Sequence, residues 1–341
     1  MGGGLPKWCV NMGRNTDHAE LLHNIRNGDR GALARAITLV ESRRNSGDDS
    51  ARALVDQAAR SAKTASLRIG ITGSPGVGKS TLIDDLGMRF IAAGHRVAVL
   101  AIDPSSTHSG GSILGDKTRM AQLSAKADAF IRPSPTGGTL GGVARRTREA
   151  IILCEAAGFD RILVETVGVG QSEAEVDQLT DIILLLMIGG AGDSLQGIKR
   201  GIMESADIIA ITKTEGDDVR RNEATARDLR NAIALLPQRP NGQRPPVLLC
   251  SAITGHGMPE LLTTLEAAAD RDRTSGHLEN RRRDQRMHWL DAAITNALLD
   301  GFQAQPEVQR ELERLRPDVA TGAMSPGEAA EKLVRLFRTA S

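Results

Sequence analysis

Aromatic side chains are nearly missing from this chain of 341 residues: five Phe, two Trp and no Tyr, or 2% of the sequence. Single-stranded nucleic acids are held on stacked aromatic platforms, so the composition argues against that class of partner. Net charge is also lacking. A formal value of +1 offers no electrostatic attraction to nucleic acid or to an anionic membrane. Cysteine is scarce, and Cys9, Cys154 and Cys250 stand far apart, which suits unpaired thiols in a reducing compartment and not a disulfide framework. Apolar runs of membrane-spanning length are absent, as is a signal-peptide core near the N-terminus, so the expectation is a cytoplasmic protein with no membrane partner. What the chain does have is aliphatic material. Hydrophobic residues make up 40%, enough for a core of Ile, Leu, Val and Ala in one large α/β domain with helical additions, or in two small domains.

The most informative stretch is Gly73-Ser74-Pro75-Gly76-Val77-Gly78-Lys79-Ser80, a full match to G-x-x-x-x-G-K-[ST]. Leu67 to Thr72 before it reads as a short buried strand. Thr81 to Ala93 after it carries Leu82, Leu86 and Phe90 at helical spacing. Strand, glycine loop and helix are the context a phosphate-binding loop needs. The glycines let backbone N–H groups turn towards phosphate oxygens, and the helix N-terminus adds partial positive charge. Lys79 would neutralise β/γ-phosphate charge, the Ser80 hydroxyl would ligate Mg²⁺, and Thr81 completes the phosphate-binding set.

Residues 17–43 read as helical, broken by Gly28-Asp29, and a further helix spans Ala51 to Ala62 beyond a polar turn. The candidate strands are 67–72, 96–102, 128–132, 161–165, 182–187, 207–212 and 246–251. They are short, apolar on both faces and separated by helical patterns. This predicts a three-layer α/β P-loop NTPase with a mostly parallel sheet covered on both sides. Ligands of such sheets bind at the carboxyl ends of the strands. Arg271 to Gly276 reads as a charged hinge. After it, Met287, Leu290, Ile294 and Leu298 open a set of three amphipathic helices. The division is an N-terminal helical extension at 1–66, a nucleotide domain at 67–270 and a C-terminal helical arm at 271–341. From spacing alone, the arm either docks on its own domain or forms a dimer interface.

Asp103 and Glu165 each follow an apolar strand, where an acid can hold Mg²⁺ directly or through water. Either residue alone reads as well as a helix N-cap or a solvated turn residue, but their paired occurrence in a P-loop chain favours the metal role. Three glycine-rich segments lie near these ends: 110–119 with Asp116, 165–173 with Gly168, and 189–199. The N–H of Gly168 could bond a γ-phosphate, so its loop would respond to hydrolysis.

VLAIDPSS at 99–106, GGSILGDKTRM at 110–120, IRPSP at 131–135, GTLGGV at 138–143, VETVGVGQSE at 164–173 and LQGIK at 195–199 together resemble the MeaB/ArgK family of P-loop GTPases. The resemblance begins near Leu21 and covers nearly the whole chain. It implies a GTPase that chaperones an adenosylcobalamin-dependent acyl-CoA mutase, chiefly methylmalonyl-CoA mutase. Such a protein hydrolyses GTP slowly to GDP and phosphate, is stimulated by the mutase, and gates loading or protection of the cobalamin. It further implies that Asp103, Asp116 and Glu165 are Mg²⁺ and catalytic acids, with Lys79 and Ser80 in their phosphate-loop roles. The 189–199 segment becomes a third switch, and the C-terminal helices become the dimerisation arm of a homodimer.

One motif departs from the family. The guanine-reading Asn-Lys-x-Asp is here Thr212-Lys213-Thr214-Glu215. Glu215 keeps the charge but adds a methylene, and Thr212 replaces a bracing amide with a hydroxyl. Losing one charge-assisted contact would cost roughly 1.5–3 kcal/mol. The expectation is GTP preference with weaker guanine discrimination. Ser251-Ala252-Ile253 resembles the family's second base-contacting loop. Three other readings stand beside the GTPase chaperone: an ATPase or kinase associated with amino-acid transport, a metal-delivery GTPase, and a nucleotide-binding scaffold without turnover. Dispersed Cys and His residues disfavour metal delivery.

Overall fold

The computed structural model describes residues 18–42, 49–61, 66–102, 120–132, 140–166, 172–190, 203, 205–235, 237–239 and 242–339. The chain divides into two compact units, Met1–Arg282 and Arg283–Ser341.

The first unit is organised by one sheet of seven strands: β1 Leu67–Gly73, β2 Val97–Ile102, β3 Ala129–Arg132, β4 Arg161–Thr166, β5 Ile182–Ile188, β6 Ile208–Thr212 and β7 Val247–Leu249. Each lies where an apolar run predicts it, with ends shifted by one or two residues. Their order is β3-β2-β4-β1-β5-β6-β7, and every pairing is parallel. β1 is central, with Ile71 opposite Glu165 on one side and Gly73 opposite Leu186 on the other. The chain leaves β1 for one half of the sheet, returns through β4, and then builds the other half. The carboxyl end of β1 therefore sits at the switch point where such sheets bind ligands.

Both faces of the sheet are covered, which is why its strands are apolar throughout. On one face Ile69, Ile71, Leu184 and Leu186 pack with Leu82, Leu86 and Phe90 of α4 (Lys79–Ala92) and Leu261 and Leu265 of a long helix, Met258–Thr274. On the other face Leu185, Met187, Ile209 and Ile211 meet Ala226, Leu229 and Ile233 of the helix Val219–Ala234. Each Ile, Leu, Met or Phe side chain among these, once fully buried, contributes about 1.5–3 kcal/mol. The N-terminal extension is α1 (His18–Arg26), α2 (Arg30–Glu41) and α3 (Asp49–Ser61), which lie against the helix Leu140–Ala156. Asp29 caps α2 by accepting from the N–H groups of Gly31 and Ala32 at 2.7 and 3.0 Å, so the break expected at Gly28-Asp29 is present.

In chain order the short helix Ala121–Ser124 is α5, Leu140–Ala156 is α6, Ser172–Asp177 is α7, Val219–Ala234 is α8 and Met258–Thr274 is α9. α10 (His277–Ala304), α11 (Pro306–Ala320) and α12 (Pro326–Thr339) follow. The stretch read as a hinge is mostly helix. α9 continues to Thr274, helped by the Asp270–Arg273 pair at 2.7 Å, and Ser275-Gly276 alone makes the turn, with Gly276 at φ 76°. α11 likewise runs through Pro317 to Ala320. In the second unit, α11 and α12 pack through Val308, Leu315, Ala329 and Leu333, with the Phe302 and Phe337 rings edge to face at 5.5 Å. Met287, Leu290, Ile294 and Leu298 of α10 form an exposed apolar stripe.

At the amino ends of the strands, charged groups are buried in pairs. Arg68 forks onto Glu155 at 2.8 and 3.0 Å. Arg282 forks onto Asp181 at 2.8 and 2.6 Å. Asp207 accepts from the Ile183 N–H at 2.8 Å and pairs with Arg239 at 3.0 Å.

Candidate nucleotide site

β1 ends in Gly73, whose φ of 150° and closeness to the Leu186 carbonyl leave no room for a Cβ. Gly76 and Gly78 also have positive φ, at 78° and 97°. Gly78 is the residue before α4 and, being glycine, gives that helix no side-chain cap of its own. Its first N–H groups are therefore available to an anion. Ser74, Pro75, Gly76 and Thr81 are exposed around this cradle, while Val77 is buried beneath it.

Lys79 is buried, and its ammonium donates to the Gly73 and Ser74 carbonyls at 2.8 and 3.2 Å. Burial holds its pKa below the ordinary lysine value, opposed by the nearby charge of Glu165. The Ser80 hydroxyl donates to Glu165 Oε1 at 3.2 Å. Glu165 itself is buried near the end of β4, where it faces Ile71 on β1 and Ala101 on β2. Sheet register thus brings together an acid and a lysine-serine pair that are 85 residues apart in sequence. Hydroxyl and carboxylate oxygens are the donor types that suit a hard divalent cation such as Mg²⁺. β2 ends at Ile102, one residue before Asp103. Asp103, Asp116 and Gly168 lie outside the described residues. So do most of the three glycine segments.

The base-side loops follow β6 and β7. Thr212 is buried, and its hydroxyl lies 2.7 Å from the Val77 carbonyl and 3.2 Å from that of Met187. The brace expected to weaken with loss of an amide at this position is thus supplied by the shorter hydroxyl, which reaches the phosphate loop directly. Lys213 is exposed, has φ 57°, and runs its side chain past Gly78. Glu215 is half-buried, and its Oε2 is enclosed with no hydrogen-bond donor among the described residues. The Thr214 N–H donates to the Cys250 carbonyl at 3.1 Å, which ties this loop to the next. Ser251 is buried, and its hydroxyl accepts from the Thr254 N–H at 3.1 Å. Ala252 is partly covered, and Ile253 is 78% exposed beside them. Burial, with Glu215 and Asp85 nearby, pushes the Cys250 thiol up to about 12, so it stays protonated and unreactive.

Asn222, on the helix that follows this loop, was not among the sequence candidates. Its amide donates towards the Thr212 and Lys213 carbonyls at 3.2 Å each and towards Thr214 Oγ1 at 3.1 Å. A signal did exist. Asn222, Ala226, Leu229 and Ile233 share the buried face of α8, so a polar residue occupies a core register.

The glycine cradle on the central strand, a helix start with glycine at its cap position and the Lys79, Ser80 and Glu165 constellation define a P-loop NTPase. The family model described as "Methylmalonyl Co-A mutase-associated GTPase MeaB" matches residues 33–307, and the chain belongs to that GTPase family. A putative GTPase of Caulobacter vibrioides is 50% identical, over 94% of this chain and 98% of the relative. The mitochondrial methylmalonic aciduria type A homolog of Mus musculus is 43% identical, over 92% and 77%. Among solved structures, a crystal structure of an LAO/AO transport system kinase superposes with a TM-score of 0.71 at 33% identity, covering 95% of this chain and 99% of that one.

Proposed function

We propose that this chain is a Mg²⁺-dependent GTPase that chaperones an adenosylcobalamin-dependent acyl-CoA mutase of the methylmalonyl-CoA type. GTP hydrolysis to GDP and phosphate would gate loading and protection of the mutase cofactor. The reading rests on family membership together with one observation: Ser80 Oγ and Glu165 Oε1 stand 3.2 Å apart beside Lys79 at the end of the central strand. When bound, Mg²⁺ would neutralise phosphate charge, with Ser80, Asp103, Asp116 and Glu165 as its candidate oxygen donors. Lys79 would exchange its two loop carbonyls for β/γ-phosphate oxygens. Gly73 to Thr81 would hold the phosphates, with the Gly168 N–H as a candidate donor to the γ-phosphate. Thr212, Lys213, Glu215 and the 251–253 loop would surround guanine. The enclosed Oε2 of Glu215 supports this role, because guanine N1–H and N2–H are donors that match a buried acceptor. The exposed stripe of α10 is proposed as the face of a homodimer.

The deciding experiment is GTP turnover by the purified protein, with and without methylmalonyl-CoA mutase. A faster rate with the mutase is expected; an unchanged rate and no co-purification would overturn the chaperone assignment. The LAO/AO kinase likeness favours one alternative, phosphoryl transfer to protein. With γ-labelled GTP, label appearing on protein would favour that alternative, and release as free phosphate would favour hydrolysis.

A further inference from the structure

A single buried amide lies between the base-side loop and the turn after β5. Asn222 has no exposed surface. On one side its Nδ2 faces the Thr212 and Lys213 carbonyls and the Thr214 hydroxyl. That hydroxyl gives its proton to the Ile211 carbonyl at 3.1 Å, so it meets Asn222 as an acceptor. Three acceptors on one side fix which way the amide points. Between them sits Lys213, the single non-glycine residue with positive φ among the described residues. That conformation is disfavoured for a side-chain-bearing residue and needs outside support.

On its other side Asn222 touches Gly189. A Cβ at Gly189 would overlap the Asn222 carboxamide oxygen and carbon. The next residue, Gly190, has φ 79°, and its N–H donates to Thr225 Oγ1 at 3.0 Å. A Cβ there would overlap the Arg221 side chain. The first turns of α8 thus grip the base-side loop and the β5 turn at once, with Asn222 common to both.

We infer that Asn222 is a positioning residue for base recognition, and that the Gly189-Gly190 turn is coupled to guanine affinity through it. The inference rests on the proposal that Thr212 to Glu215 read the base. Any shift of the turn towards α8 displaces the Asn222 amide. The Thr212 and Lys213 carbonyls then lose their donor, Lys213 loses its support, and Glu215, two residues on, loses its place. The phosphate cradle is held by β1 and α4 and meets this chain of contacts through the Thr212 hydroxyl on the Val77 carbonyl and the Lys213 stem beside Gly78, neither of which is bonded to the Asn222 amide.

The test compares dissociation constants for GDP, ADP and inorganic pyrophosphate in the wild type, Asn222→Ala, Gly189→Ala, Thr225→Val and Glu215→Ala. Pyrophosphate probes the cradle without a base. Asn222→Ala and Gly189→Ala should each weaken GDP about tenfold, the scale of one lost buried hydrogen bond, and narrow the GDP-over-ADP preference. Pyrophosphate binding should stay within about twofold. Thr225→Val, a milder change that removes the acceptor for Gly190, should weaken GDP about two- to threefold and covers the case in which a core variant does not fold. Wild-type GDP binding in both Gly189→Ala and Thr225→Val would overturn the coupling. Parallel losses of GDP and pyrophosphate in Asn222→Ala would reduce the residue to a general structural role. An unchanged GDP-over-ADP preference in Glu215→Ala would instead remove the base-reading loop itself, and the inference with it.

Discussion

Asp181, at the amino end of β5, accepts from the Arg68 N–H and from two nitrogens of Arg282. At the carboxyl end of β1, Lys79 leans on carbonyls of its own loop, and nearby Glu215 holds an oxygen with no donor among the described residues. The same sheet thus has one end where buried charge is matched by protein and another where polar groups are kept for something else. A buried charge without a full set of partners costs stability, so the second arrangement is expected where a ligand completes it. The contrast teaches which end to disturb for activity and which for folding.

The largest effect should come from Lys79→Ala, which is expected to abolish measurable GTP turnover, a loss of at least about a hundredfold. The protein should remain folded by circular dichroism; persistent turnover would remove Lys79 from the mechanism. At the other end, Asp181→Ala leaves Arg282 without its carboxylate and should cost about 3–5 kcal/mol of stability. Urea unfolding measures it, and the folded fraction should still bind GDP. A stable Asp181→Ala protein with impaired GDP binding would invert the comparison. Glu165→Gln keeps a hydrogen-bonding partner for Ser80 but removes the charge. It should lower the maximal rate by about ten- to a hundredfold, with a smaller effect on GDP affinity. The mildest test uses pH. Burial lowers the Lys79 pKa in the free protein, and phosphate charge would raise it on binding. Binding therefore takes up protons in the alkaline range, and affinity falls as pH rises there. Calorimetry in buffers of different ionisation enthalpy would register the uptake as a change in observed heat.

Much of the fold was legible because its strands are buried on both faces, which leaves uninterrupted apolar runs such as Ile182 to Ile188. The phosphate cradle was legible because its backbone geometry demands glycine at fixed spacing. Glu165 could be placed at a strand end, but its pairing with Ser80 depends on the β1–β4 register, which no local pattern encodes. Asn222 occupied a visible core position, yet its partners follow from how closely α8 approaches the end of β6. The supposed hinge at 271–276 misled because a dense run of charges reads as solvent-exposed loop, whereas alternating signs at helical spacing stabilise a helix.

The central place of β1 also has a bearing on how the chain is born. β1 pairs with β4 across a separation of 94 residues and with β5 still further along. Contacts that distant close slowly, because chain entropy is lost before they repay it. As the chain leaves the ribosome, the phosphate loop emerges before either strand that flanks it: β1 gains its first neighbour only when β4 has been made and its second only when residues near Leu186 have. The cradle at the end of β1 thus has both flanking strands beside it only after β5 has paired, with Gly73 opposite Leu186.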